Sequence, residues 1–235
     1  MKFLRLIFCL YILIQSGLVS AQSKVNLGIG YNIGSHIKTE GLGFVIDRYN
    51  ETRPFLTEKM KQPRFFRGMN FAMEVFYPKA LIDFEWVSRK SDVHSEVSTS
   101  STGRDFRHKL HSFNMGFGIK LNKKKSGVMG PYLGLDFSTI SIRNFTRTFQ
   151  TGQDKPEFDK INSEIVVGFS PFLQFVGNRF TAKFYYQWML LKGDYWDVNR
   201  KINPNTWSGD DFDANQGRTS SAGLSIRYNL IKNGN

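Results

Sequence analysis

The sequence predicts an all-β fold: one eight-stranded antiparallel up-and-down transmembrane β-barrel, with short periplasmic turns and long extracellular loops. Three observations carry that expectation. The chain opens like an exported protein, its strand-length segments alternate apolar and polar residues, and the connections between them alternate short and long. In a strand, residues i and i+2 share a face, so strict alternation makes one apolar side and one polar side.

The export signal comes first. Lys2 and Arg5 precede an apolar run from Leu6 to Ile14, and small residues end at Val19-Ser20-Ala21. This is the charged, apolar and small-residue succession of a cleaved signal peptide, so residues 1–21 are expected to be removed and 22–235 to form the barrel. Gln15 and Ser16 interrupt the run well short of the roughly 20 apolar residues that a transmembrane helix needs. The one cysteine, Cys9, lies in this segment, so disulfides are not expected to stabilise the rest. Loss of Lys2 and Arg5 takes the formal charge from +12 to +10. A basic exported chain fits phosphate-bearing lipids or plain solubility, and nucleic acid is not an expected partner.

Eight strands follow. The first, 24–33, sets Val25, Leu27, Ile29, Tyr31 and Ile33 against Lys24, Asn26, Gly28, Gly30 and Asn32. The second, 68–77, carries Met69, Phe71, Met73, Val75 and Tyr77 on one face, and the third, 80–93, sets Ile82, Phe84 and Trp86 opposite Asp83, Glu85 and Arg89. The fourth, 106–121, aligns His111, Phe113, Met115, Phe117, Ile119 and Leu121. The fifth, 130–149, aligns Leu133, Leu135 and Phe137; its pattern slips at Thr139–Ile142, which predicts a bulge. The sixth, 158–176, groups Ile165, Val167, Phe169, Leu173 and Phe175, and the seventh, 179–196, groups Phe180, Ala182, Phe184, Tyr186, Trp188 and Leu190. The eighth, 220–230, alternates Ala222, Leu224, Ile226, Tyr228 and Leu230 with Ser221, Gly223, Ser225, Arg227 and Asn229.

The connections after strands two, four and six are short: Pro78–Lys79, Asn122–Gly127 and Gly177–Asn178. Those after the odd strands are longer. An even strand count with short turns at one end is the pattern of single-chain outer-membrane barrels. A secreted lipocalin-like ligand-binding barrel is the soluble rival, and there the apolar faces would point inward. The polar faces here favour the membrane form, because acids and bases of both signs alternate with small residues. Glu74, Asp83 and Glu85 are the expected interior acids, and Lys24, Lys120, Lys183 and Arg227 the expected interior bases. An eight-stranded barrel is just wide enough for side chains to fill it. Tyr31, Tyr77, Trp86, Tyr132, Trp188, Trp196 and Tyr228 are the expected aromatic girdles.

The final strand also carries a short motif. Ser221-Ala222-Gly223-Leu224-Ser225-Ile226-Arg227-Tyr228 is similar to the assembly signal of outer-membrane proteins, although a tail, Asn229–Asn235, follows where many such proteins end in an aromatic residue. In architecture the chain resembles the eight-stranded outer-membrane barrels of Bacteroidota, the group that includes OmpA-like and PorT-like proteins. That resemblance implies outer-membrane lipids as surroundings and the outer-membrane assembly machinery as a partner during biogenesis.

Two loops stand out. In loop 34–67, Leu42, Val45, Ile46 and Tyr49 fall at i, i+3, i+4 and i+7, which predicts a helix. A second turn is expected from a Thr52 cap and Pro54, with Phe55, Leu56, Lys59 and Met60. Loop 197–217 holds Trp207, Phe212 and the acids Asp210, Asp211 and Asp213. Bases on one loop and acids on the other predict that the two pack over the barrel mouth. Loops 34–67 and 197–217 are also where an outer-membrane complex partner is expected to dock.

No catalytic, cofactor or metal residue is predicted. A lipid-modifying enzyme or protease is the alternative class, and nucleophilic hydrolysis would need serine, histidine and acid converging. His111-Ser112 and His94-Ser95 are adjacent, so each pair points to opposite faces of its strand, and His108 and Ser112 lie about 13 Å apart along theirs. The expected function is a non-catalytic structural or scaffold barrel.

Overall fold

The computed structural model describes residues 24–122, 127–206 and 213–231; the expected signal segment lies outside them. Eight long strands close into one antiparallel barrel. They are β1 (Lys24–Thr39), β2 (Phe65–Phe76), β3 (Ala80–Val97), β4 (Thr102–Lys120), β5 (Gly130–Gln150), β6 (Asp159–Val176), β7 (Phe180–Met189) and β10 (Thr219–Asn229). Each pairs with its neighbour in sequence, except that β7 pairs with β10, and β1 closes the ring by pairing with both β10 and β2. Among the described residues the loops hold two α-helices, α1 (Leu42–Glu51) and α2 (Trp196–Ile202), a 3-10 turn at Ser98–Ser100, and a small ribbon of the two-residue strands β8 (Gly193–Asp194) and β9 (Gln216–Gly217).

Apolar residues face outward around one end of the barrel. Phe113, Phe117, Phe137 and Phe180 are each more than half exposed, and Met69, Ile119 and Ile165 join them. Apolar side chains outside and polar ones within is the reverse of a lipocalin-like barrel, and it is the arrangement expected of strands that face hydrocarbon. Tyr31, Trp86, Trp188 and Tyr228 lie on this outer surface as expected. Tyr132 does not: it is fully buried inside, donating its hydroxyl to the Val128 carbonyl at 2.8 Å. Trp196 lies on α2, outside the barrel wall.

The interior changes chemistry along the axis. At the short-turn end it is apolar, with Phe76, Leu81, Tyr132, Phe172 and Val176 packed together. Charged residues fill the middle, including Glu74, Asp83, Glu85, Lys183 and Arg227, all buried. Towards the long-loop end it turns apolar again, with Phe66, Leu110, Ile140, Ile142, Val166 and Met189. This corrects the bulge expected at Thr139–Ile142. Both neighbouring ladders run through that stretch without a break, and the irregularity lies instead at Asn144/Phe145 against β6. Even-numbered residues of β5 keep facing inward; what changes is their type, from Asp136 and Ser138 to Ile140 and Ile142. The alternation keeps its phase and inverts its polarity.

The seventh strand is shorter than its apolar pattern predicts. It ends at Met189, and Trp196 begins a helix rather than ending a strand. Several other strands are longer than predicted, β1 reaching Thr39 and β3 reaching Val97, so one end of the barrel stands well beyond the apolar band.

Candidate functional site

The barrel middle is a closed ion cluster. β2 contributes Glu74, β3 contributes Asp83 and Glu85, and β5 contributes Asp136, while β7 and β10 bring Lys183 and Arg227. The Lys183 ammonium lies 2.6 Å from Asp83, 2.8 Å from Asp136 and 3.3 Å from Glu85. The Arg227 guanidinium lies 2.8 Å from Glu74 and 3.3 Å from Asp83. Amides and hydroxyls take up further capacity: Asn26 and Gln174 donate to Glu74, and Asn70 and Ser225 donate to Glu85. A charge buried in this way is tolerable only when paired and hydrogen-bonded. Glycine makes room for it. A Cβ at Gly116 would come within 2.0 Å of an Asp136 oxygen.

The expected acids are therefore inside, with Asp136 as a fourth. Of the expected bases, Lys183 and Arg227 form the cluster. Lys120 is buried at the short-turn end, donating to the Gly127 carbonyl, while Lys24 is exposed at the rim, opposite Phe76. Arg89 takes a place one level higher, donating to the Tyr185 hydroxyl at 2.6 Å and to Gln187 at 2.9 Å. Tyr185 passes the chain on to Asn32 at 2.9 Å. Side chains thus bridge the lumen from β3 to β7 and β1.

The mouth above is capped. The predicted helix forms as α1, and Leu42, Val45, Ile46 and Tyr49 are all buried against Phe106, Tyr195, Val198 and Ile202. Gly41 allows it to start there: its φ is 54°, and a Cβ would sit 2.7 Å from the Asn215 carbonyl. The second turn expected after Thr52 is a single one at Pro54–Phe55, closed by the Leu56 N–H donating to the Arg53 carbonyl at 3.1 Å, and Thr52 does not cap it. Thr52 instead ends α1, its hydroxyl donating to the Arg48 carbonyl, and the chain runs on irregularly until it pairs at Glu58 with Glu96 of β3. The two loops do pack together, and among the described residues the bonds between them run from side chains to carbonyls and amides. Arg53 donates to the Ile202 carbonyl at 2.8 Å and to the Asn203 side chain at 3.1 Å, Arg48 donates to the Thr206 carbonyl, and Asn203 donates back to the Val45 carbonyl. These bonds satisfy carbonyls that end α2 and line α1. Trp207, Asp210, Asp211 and Phe212 lie outside the described residues.

The four histidines sit in three different settings. His111 faces outward and stacks on Trp86. His36 and His108 lie inside, above the apolar band, edge-on to Phe66. Burial pushes His108 down to about 4, against the opposing effect of its 2.6 Å hydrogen bond to Asn144. His94 belongs to the rim, with Nδ1 2.8 Å from Asp105 and Nε2 3.6 Å from Glu96. Burial alone would raise the Asp105 carboxyl, but hydrogen bonds from His94, Arg147 and Lys155 outweigh it and hold it below the usual carboxylate range. Glu58, His94 and Glu96 bring one donor atom each within 4.8 Å of one another. Sequence spacing missed this group because the Glu58–Glu96 bridge assembles it across two elements. Among the described residues no serine hydroxyl is hydrogen-bonded to a histidine ring, so the Ser–His pairing that hydrolysis needs is not assembled there.

No family model and no curated protein matches the chain. Among solved structures it is similar to Ail, the attachment invasion locus protein of Yersinia pestis, in complex with the heparin analogue sucrose octasulfate. That match has a TM-score of 0.43 and 12% identity, covering 88% of this chain and 99% of that one. A second structure of Ail matches with a TM-score of 0.40 and 14% identity over 88% and 97% of the two chains. CarO2 of Acinetobacter baumannii matches with a TM-score of 0.34 and 8% identity over 87% and 99%.

Proposed function

We propose that the chain is a non-catalytic barrel of a Gram-negative outer membrane, exported through a cleaved signal, closed to ions, and serving as a scaffold within the envelope. The observation that carries this reading is the pairing of an outward apolar band with an interior filled by a hydrogen-bonded ion cluster. Such a wall suits hydrocarbon, and such a lumen leaves no continuous water path. Partner docking on loops 34–67 and 197–217 is part of this proposal. Leu42, Val45, Ile46 and Tyr49 are consumed in closing the mouth, so recognition falls to the outer surface of the packed loops, with the exposed Phe55 and Lys59 on it.

The test has two arms. The detergent-purified protein should migrate heat-modifiably, fractionate with the outer membrane, and give no stable channels in planar bilayers. Large, steady conductance, or a soluble periplasmic protein, would sink the closed-barrel reading. Replacing residues 41–62 by a short Gly-Ser linker should leave barrel assembly intact, because strand pairing and the terminal signal are untouched. It should also remove any partner captured by crosslinking in cells. A deletion that keeps the partner would show that loop 34–67 only closes the mouth.

A further inference from the structure

Four cations stand in one row across the outside of the barrel. Arg67 of β2 is directly opposite Lys90 of β3, Lys90 is opposite Lys109 of β4, and Lys109 is opposite Arg143 of β5. The row is flanked by the uncharged Ile33 and Ser163. Adjacent strands lie about 4.8 Å apart, so the four groups span roughly 14 Å. Like charges directly opposite destabilise a sheet. Acids do little to relieve them: Asp92 accepts both hydrogen bonds of Arg107, at 2.6 and 3.0 Å, and lies 3.7 Å from Lys90. Lys109 rests on the Phe145 ring, and among the described residues neither Arg67 nor Arg143 has an ion pair.

The row lies at the upper edge of the apolar band. Just below it is a groove of about 360 Å³, walled by Ile29, Met69, Phe71 and Trp86 and rimmed by Arg67, Lys90 and Lys109. A larger hollow of about 740 Å³ opens above and shares Arg67 and Lys90 with it. Apolar below and cationic above is the profile of a lipid's chain and phosphate. The groove on the far side differs, because Glu40 sits among its cations Lys38, Lys192 and Arg218 and pairs with Lys38.

We infer that β2–β5 form a docking face for an outer-leaflet lipid carrying more than one phosphate, its phosphates spanning the Arg67–Lys90–Lys109–Arg143 row and an acyl chain lying in the groove beneath. The inference rests on the membrane reading above and assigns the lipid class and the face. A multiply charged headgroup is favoured over a single phosphate because it satisfies several opposed cations at once.

The test uses the purified mature protein in detergent micelles, titrated with bisphosphorylated lipid A, its monophosphorylated form and sodium pyrophosphate. Wild type should prefer the bisphosphorylated lipid, and the preference should shrink in high salt. Lys90→Gln/Lys109→Gln should weaken that binding roughly 30-fold, from the attraction of two cations to an anionic headgroup. Lys192→Gln, on the far side, should not change it. The unliganded double variant should melt no lower than wild type, since it loses a repulsion; a merely structural row would lower it. Equal binding by wild type and double variant overturns the inference, as does pyrophosphate binding as tightly as the lipid. Insertion into phosphatidylcholine vesicles is scored separately. A wild type that fails to insert overturns the membrane reading and this inference with it, whereas one that inserts without lipid preference overturns this inference alone.

Discussion

Replacing Lys183 by methionine tests whether the interior ion cluster holds the barrel together. The ammonium has carboxylate oxygens of Asp83, Asp136 and Glu85 at 2.6, 2.8 and 3.3 Å, and its side chain is wholly buried. A pair of unit charges about 4 Å apart attracts by about 4 kcal/mol at an effective dielectric near 20. Three such contacts are largely offset by the cost of stripping water from the ions. What survives when one partner of a buried pair is removed is about 3–5 kcal/mol, because the carboxylates left behind are uncompensated. Methionine keeps most of the volume, so cavity formation adds little. Urea unfolding of the protein in lipid vesicles, followed by tryptophan fluorescence, should show a lower midpoint at unchanged slope. Lys183→Met/Asp136→Asn should be less destabilised than the sum of the single changes by about 1–3 kcal/mol, the coupling expected of contacting charges. A single variant within about 1 kcal/mol of wild type, or strict additivity in the double, would show that the cluster is hydrated and that the lumen is open to water.

Two further outcomes concern the cap and rim. Arg53→Met removes the hydrogen bonds to the Ile202 and Tyr49 carbonyls and to Asn203, and hydrogen exchange over residues 41–62 and 196–206 should quicken roughly tenfold while the barrel strands stay protected; equal protection would mean that the apolar contacts of α1 hold the cap alone. The depressed Asp105 carboxyl stabilises the rim above its unfolded value of about 3.9, and that contribution is lost as pH falls through the lower folded value. A spin label at Gln153→Cys should therefore keep constant mobility from pH 8 to 5 and loosen below about 4, whereas Asp105→Asn should be loose at every pH; loosening of wild type near pH 6 would point to another group.

Much of the wall was legible because alternation is a local signal. The inward phase of Asp83, Glu85, Lys183 and Arg227 follows from their neighbours alone, and the α1 face follows from Leu42, Val45, Ile46 and Tyr49. Errors arose where alternation persists but its meaning changes. In β5 the inward residues turn from Asp136 to Ile140 as the barrel leaves the apolar band, and a constant phase with inverted polarity reads like a bulge. Tyr132 was assigned to the surface for the same reason: the short-turn end of the lumen is apolar, so an aromatic residue there looks like part of a girdle. The seventh strand ends earlier than its pattern suggests because Leu190, Leu191, Tyr195 and Trp196 carry the apolar run past Met189 into the connection to α2.

Register was beyond reach, and register makes the surface features. Arg67, Lys90, Lys109 and Arg143 each read as an ordinary solvated base in its own strand. Nothing in their spacing shows that three successive ladders set them opposite one another. A slip of one residue in any one ladder would break the row, since side chains would then turn to the other face. The interior supplies the constraint against slipping. Lys183 must meet Asp83 and Asp136, and Arg227 must meet Glu74, so the alignment of β2, β3 and β5 with β7 and β10 is fixed from within. The buried ion cluster therefore does more than fill the lumen: by fixing the register of β2, β3 and β5, it also sets the level of three of the four outward cations, Arg67, Lys90 and Arg143. This ties the two halves of the molecule together, because a core variant that allowed β3 to slip would disperse the outer row without touching any of its residues.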